Sequence, residues 1–348
     1  MDNQISNGVN KKVRVAINGF GRIGRAFCRI GSKNPDIEIV AINDLGDLGN
    51  LAYLLKYDSA YGQFSGTVEV GENEMIVDGN KIKFLQEKDP ALLPWGDLQV
   101  DVVVESTGVF ETYAKAKSHL DGGARKVVIT APVKDEPMPG IPGGTCLINI
   151  NDEKLNDNVI SSNGSCTTNS AAPIIKIIGE SIGIEKALLN TIHGYTATQK
   201  LVDVADGKDW RRGRAGAVNI IPSSTGAAIA VGQVIPSIQG KFDGIAMRVP
   251  VITGSITDIT FITKRNTTVE EVNEILSKAA ADPKWATTFA VTKEALVSSD
   301  IVGSRFAAMA DLSYTKVVGG NLVKVMSWYD NESGYTHSLI QHVIKLGQ

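Results

Sequence analysis

From Lys12 the chain reads KVRVAINGFGRIGRAFCRIGSKNPDIEIVAIND: a β-branched run, a glycine turn, an amphipathic stretch, a proline-marked stop and a second β-branched run. That order predicts strand, helix, strand, which is a βαβ unit. Ile23, Phe27 and Ile30 lie close to Cys28 in the helical period, so this cysteine reads as a small core hydrophobe. Two further apolar runs, VDVVVESTG from Val100 and KVVITAP from Lys126, predict strands that end in small hydroxyl-bearing turns. Later a strand-like VIS leads through SNGSC into TTNSAAPIIKIIGESIG, whose apolar spacing predicts a helix starting within a residue or two of Cys166. The run ALLNTIHGYTAT predicts an apolar strand opening at His193 into a turn rich in hydroxyls.

Within the βαβ unit, Gly19, Gly21 and Gly24 form GxGxxG between strand and helix, and Asp44 follows Gly24 by 20 residues at the end of the second strand. Each position has a mechanical reason: a tight turn, close approach of a pyrophosphate, and helix–sheet packing, with the helix N-terminus pointing free amides at phosphate oxygens. A carboxylate at Asp44 accepts hydrogen bonds from a ribose diol and repels a 2′-phosphate, which favours NAD over NADP. Ligands of such sheets lie beyond the carboxyl ends of the strands, so Ser106, Thr107 and Gly108, with Thr130, Ala131 and Pro132, are candidates to line the same cleft.

Cys166 stands among small polar residues at a predicted helix start, where the macrodipole and unpaired amides favour the thiolate. Ser165, Thr167 and Thr168 add hydroxyls that can hold a phosphate or an oxyanion. Of the four histidines, His119, His337 and His342 read as occupants of solvated helix faces, and His193, at a strand end, is the candidate base for the thiol. Arg211, Arg212 and Arg214 in DWRRGRAG, and Arg248 in AMRVP, are candidate anion sites.

Composition narrows the classes. Over 348 residues, 43% hydrophobic and 21% charged describe a globular chain with enough apolar side chains for two cores. A formal charge of −3 argues against nucleic acid or an anionic membrane as the main partner, and no window approaches the roughly 18 apolar residues of a membrane span. Three cysteines without CxxC spacing fit a reducing compartment, the cytoplasm, rather than a disulfide framework or a zinc site, and no metal is expected. Residues 1–12 are polar and are expected to be a disordered extension.

INGFGRIGR, LLKYDS, ESTG, SNGSCTTN, HGYTATQ, RRGRAG, IIPSSTGAA, MRVP and SWYDNESGY together resemble, in order and from about Val13 to the C-terminus, phosphorylating glyceraldehyde-3-phosphate dehydrogenase. The resemblance implies an α/β fold: a Rossmann-type dinucleotide-binding domain over 13–165 and an α+β catalytic domain, with a mixed or antiparallel sheet, over 166–327. A last segment, 328–348, would pack back on the first domain. It implies that Cys166 adds to the aldehyde of glyceraldehyde 3-phosphate, that His193 takes the proton during hydride transfer to NAD, and that inorganic phosphate cleaves the thioester.

Position by position, the resemblance places Arg22 and Ile23 at the pyrophosphate, Asp44 at the adenine ribose, Lys88 and Thr130 around the cleft, and Asn331 at the carboxamide. The substrate's phosphate would meet Thr196 and Arg248. The attacking phosphate would meet Ser165, Thr167, Thr225 and Gly226, with Arg214 adding to the cradle. Similar enzymes are homotetramers whose WRRGR loop crosses a subunit interface. The chain departs from the common pattern at Ser170, where many members carry a second cysteine, and at Ala205, where NAD-specific members often have proline. An erythrose-4-phosphate dehydrogenase, using the same thiol and histidine, is the alternative within the enzyme class.

Overall fold

The computed structural model describes residues 11–348; of the expected extension, 1–10 lie outside the described residues, and Lys11 and Lys12 run exposed into the first strand. Strand β1 (Val13–Asn18), helix α1 (Arg22–Gly31) and strand β2 (Ile37–Asn43) form the predicted βαβ unit. Beyond β1 on its other side lie β3 (Val102–Glu105) and then β4 (Lys126–Ile129), all parallel. They belong to a nine-stranded sheet whose last two strands, Glu74–Val77 and Val68–Gly71, are antiparallel at one edge.

Parallel strands covered on both faces need side chains that are apolar throughout rather than alternating. β3 is buried at all of its positions: Val102, Val103 and Val104 follow that rule and Glu105 departs from it. The strand order reverses at β1, between β2 and β3, and the crevice beyond the strand ends at that switch point is the expected ligand position. Gly19 makes the turn there with φ +91, and a Cβ would come within 2.7 Å of the Thr107 amide. At Gly24 a Cβ would overlap the Gly19 carbonyl, so both glycines are demanded by close backbone approach.

Helix α2 (Cys166–Ser181) then packs on a second, seven-stranded sheet. Its centre is β5 (Ile184–Gly194), parallel to β6 (Phe242–Val249) and antiparallel to β7 (Ser255–Thr263), which pairs with β8 (Leu322–Tyr329). The sheet is therefore mixed. Its inner residues Ala187, Leu189, Ile259, Phe261, Val323 and Val325 share one core with Ile174 and Ile178 of α2. The opposite face carries Leu188, Ile245 and Leu322, all exposed.

The last helix, α3 (Ser333–Gly347), buries Tyr335, Leu339, Val343 and Leu346 in the core that also holds Val13, Val15, Val102 and Val104 of the first sheet. No described helix is long and apolar enough to cross a membrane. Two histidines depart from the solvated positions expected for them: His119 and His342 are fully buried, and only His337 is half-buried. Each buried ring has polar partners on both nitrogens, which periodicity along one helix does not reveal.

Candidate active site

The strand Ile160–Ser162 ends in Asn163 and Gly164, and Ser165 caps α2. Its hydroxyl accepts from the Thr168 amide at 3.1 Å while the Thr168 hydroxyl accepts from the Ser165 amide at 3.2 Å, a reciprocal capping box. Cys166 is thus the first residue of the helix, with its own amide and that of Thr167 left free of the helix ladder. Ser170, one turn on, is fully buried and shares a hydrogen bond of 3.2 Å with Thr257, so it faces the second sheet rather than the cleft.

His193, next to last in β5, places its Nε2 3.3 Å from Cys166 Sγ. The ring meets the Tyr329 ring edge-on at 5.9 Å, and the Tyr329 hydroxyl is fixed by Thr167 Oγ1 at 2.9 Å and Thr191 Oγ1 at 2.7 Å. At Nδ1 the Gly194 carbonyl stands 2.6 Å away and Arg248 Nη1 2.8 Å away, the same nitrogen of Arg248 donating to that carbonyl at 3.2 Å. We assign the Nδ1 proton to the carbonyl on the shorter contact, which leaves the Nε2 lone pair facing the thiol.

Burial, with the Arg248 charge as a second cause, pushes His193 down from 6.5 to about 3, so its ring is neutral at physiological pH. Burial raises the Cys166 thiol, although its residue still reaches solvent, and the Arg248 charge and the Thr167 hydrogen bonds pull the other way. At this helix end desolvation therefore works against the thiolate that the helix N-terminus favours.

Two contiguous cavities, of about 450 and 400 Å³, share Ser106 and Thr107. The first holds Cys166, His193, Ser165, Thr196, Arg248, Arg22, Ile23, Thr130 and Asn331. The second holds Gly19, Gly21, Asp44 and Lys88. Gly21 caps α1 without a side chain, and a Cβ there would meet no protein atom within 4 Å, so the helix amides face open space. The Asp44 carboxylate accepts from the Phe20 amide at 2.7 Å and the Gly46 amide at 2.8 Å, one on each oxygen, leaving lone pairs for a diol.

The Asn331 carbonyl oxygen accepts from Ser255 at 2.9 Å and Thr253 at 3.2 Å, which leaves its amide nitrogen as the donor for the cavity it lines. These donors and acceptors fit a dinucleotide. The Arg22 guanidinium is held by Asp58 and Glu332, so what Arg22 offers a phosphate is its backbone amide.

Gly24 lies beneath the turn as a packing position. Thr167 is 4% exposed and turned onto Tyr329, Arg214 pairs with Asp203 at 2.8 Å, and Thr225 and Gly226 precede the helix Ala227–Val234; none of these four lines either cavity. Sequence reasoning missed Tyr329, Thr191 and Glu105. They belong to the quoted stretches SWYDNESGY, ALLNTIHGYTAT and ESTG, where attention went to Asn331, to His193 and to the hydroxyl-bearing turn.

Family models match twice: that described as glyceraldehyde 3-phosphate dehydrogenase, NAD binding domain, over residues 13–113, and that described as its C-terminal domain over 165–331. A protein of Thermotoga maritima named glyceraldehyde-3-phosphate dehydrogenase is 52% identical over 330 residues, covering 94% of this chain and 97% of its own length. Proteins similarly named from Kluyveromyces lactis and Streptomyces coelicolor are 47% and 48% identical, covering 95% and 96% of this chain and 99% and 98% of theirs.

Proposed function

The chain belongs to the glyceraldehyde-3-phosphate dehydrogenase family, and from that premise we propose how its own residues carry the reaction. Its activity is the NAD-dependent oxidation of glyceraldehyde 3-phosphate, and the erythrose-4-phosphate alternative is not favoured. The observation that carries the residue assignment is the 3.3 Å approach of His193 Nε2 to a thiol at a helix N-terminus inside the cavity adjoining the dinucleotide groove.

Cys166 Sγ adds to the aldehyde carbon, and its proton passes through His193 Nε2 to the aldehyde oxygen, forming a thiohemiacetal. NAD, when bound, supplies the acceptor for the hydride lost from that carbon. His193 Nε2 takes the hydroxyl proton in the same step, leaving a thioester on Cys166. The free amides at the start of α2 face the oxygen on which charge develops. Inorganic phosphate then attacks the thioester carbonyl, and the sulfur leaves and recovers its proton from His193.

Arg248 and Thr196 hold the substrate's phosphate. The Arg248 Nε is buried without a partner, an orphan donor at the cavity that an anion satisfies. The attacking phosphate is received at Ser165, which lines the cavity; Thr167, Thr225, Gly226 and Arg214, which the resemblance adds to that cradle, lie outside the two cavities and would have to turn toward it. Gly19, Gly21, Arg22, Ile23, Gly24, Asp44, Lys88, Thr107, Thr130 and Asn331 form the NAD site. The cofactor domain runs to about Ser165 and the catalytic domain to about Ser327.

The working unit is a homotetramer. The open face of the second sheet exposes Leu188, Ile245 and Leu322 and leaves buried oxygens of Asn190 and Asp258 without partners, a surface suited to another copy of the chain. The exposed Leu201, Val202 and Trp210 of the arginine loop fit the same role. Three unpaired cysteines fit the cytoplasm. The deciding experiment is steady-state kinetics with NAD, with and without inorganic phosphate. A rate indifferent to phosphate would overturn the second half-reaction, and sedimentation as a monomer would overturn the assembly.

A further inference from the structure

Asn18, Asn43 and Glu105 are the last residues of β1, β2 and β3, aligned across the sheet by register, and all three side chains are buried. Beside them His119, fully buried, receives a hydrogen bond of 3.1 Å at Nδ1 from the Trp95 indole. An indole N–H only donates, so Nδ1 is the acceptor and the proton of the neutral ring sits on Nε2. That N–H faces Glu105 Oε2 at 2.9 Å.

The same carboxylate oxygen accepts from Asn18 Nδ2 at 2.6 Å, and the other accepts from the Thr107 amide at 2.8 Å and from the Thr107 hydroxyl. The Thr107 hydroxyl oxygen also accepts from the Val109 amide at 3.1 Å. His119, Asn18 and the Thr107 amide all donate to Glu105, so both of its oxygens are engaged. Asn18, having given its amide to Glu105, accepts at Oδ1 from Asn43 Nδ2 at 2.7 Å. Asn43 in turn donates to the Glu87 carbonyl at 2.9 Å and accepts from its amide at 2.8 Å.

The direction of each bond follows from the one before, so the chain Trp95, His119, Glu105, Asn18, Asn43 has a single arrangement. It joins the four segments that line the adenosine side of the cleft: the turn after Asn18, Asp44 after Asn43, Lys88 after Glu87, and Thr107. We propose that Glu105, oriented by His119, is a positioning residue for dinucleotide binding, tying those four segments to one buried carboxyl group. A buried polar side chain is costly unless its hydrogen bonds are made, and the partners of Glu105 are met in this geometry.

The inference rests on the NAD reading of the cleft, and the test separates the two. Dissociation constants of the cofactor-free enzyme for NAD and for ADP-ribose are measured by calorimetry, beside the rate of Cys166 alkylation by iodoacetamide. Glu105→Gln turns one amide hydrogen pair toward donors, and both constants rise about tenfold or more, a loss of about 1.4 kcal/mol for each factor of ten. Alkylation stays within about twofold of the parent. His119→Gln keeps a donor for Glu105 and an acceptor for Trp95 and retains most of the affinity, whereas His119→Leu loses it.

Unchanged affinity in a folded Glu105→Gln variant overturns the proposal, as does an equal fall in affinity and alkylation, which would mean general loosening. Should Glu105→Gln not fold, the His119 pair decides: equal affinities of the His119→Gln and His119→Leu variants overturn it. An unsubstituted enzyme that binds neither ligand sinks the NAD reading instead.

Discussion

Arg22, at the start of α1, grips both carboxylate oxygens of Glu332 with two guanidinium nitrogens across 310 residues of sequence, the Nε contact measuring 2.8 Å. Asp58 takes a third nitrogen, and the three side chains brace the cleft floor between the glycine turn and Asn331. Lysine cannot form that planar fork. Arg22→Lys is expected to cost about 2 kcal/mol, the scale of a charge-assisted hydrogen bond, and to weaken NAD binding. Urea unfolding and a binding titration measure the two effects, and unaltered values for both would show the fork to be idle.

Cys166→Ser is expected to abolish turnover while leaving NAD binding largely intact, because the sulfur's hydrogen-bond partner is His193 and not a group assigned to the dinucleotide. His193→Asn is expected to lower kcat by about 10²–10⁴, the range for loss of a general base. Single-turnover assays on both variants check this, and substantial turnover by the serine enzyme would refute covalent capture.

Iodoacetamide at neutral pH should modify Cys166 well before Cys28 or Cys146. The latter two are buried and their thiols are pushed to about 12, whereas Cys166 reaches solvent and has Arg248 and Thr167 favouring its charge. The rate should rise with pH, since burial raises the thiol. Mass spectrometry of partly labelled protein reads the order, and equal labelling of all three would contradict the site geometry.

Stability should fall on acidification. Burial depresses His193 and His342 from 6.5 to about 3 in the folded chain, so between those values the unfolded chain holds protons that the folded chain does not. Unfolding free energy then rises with pH through that window and levels off above about 6.5. His342→Gln removes one of the two contributions and should flatten the slope of denaturation midpoint against pH; an unchanged slope would mean that His342 is protonated where it lies.

Ser170→Cys places a second thiol one helical turn after Cys166, where the resemblance leads one to expect it. Because Ser170 is buried against Thr257 and points away from the cleft, activity should stay within about twofold, and the lost hydrogen bond should cost about 1 kcal/mol. A large change in kcat would show that the position communicates with the thiol.

What the sequence determined by itself is local. The βαβ unit, the GxGxxG turn with Asp44, and the start of α2 at Cys166 each depend on spacing within one element and its flanking turns, so periodicity and cap chemistry were enough. The tertiary structure decided which distant side chains meet. His193 is brought to Cys166 across 27 residues and Tyr329 to Thr167 across 162, by the register of β5 and β8 beneath α2. The same packing buried His119 and His342 and turned Thr167 inward. It also raised the Cys166 thiol against the helix dipole, because the cost of desolvating a charge is set by surroundings that no stretch of chain contains.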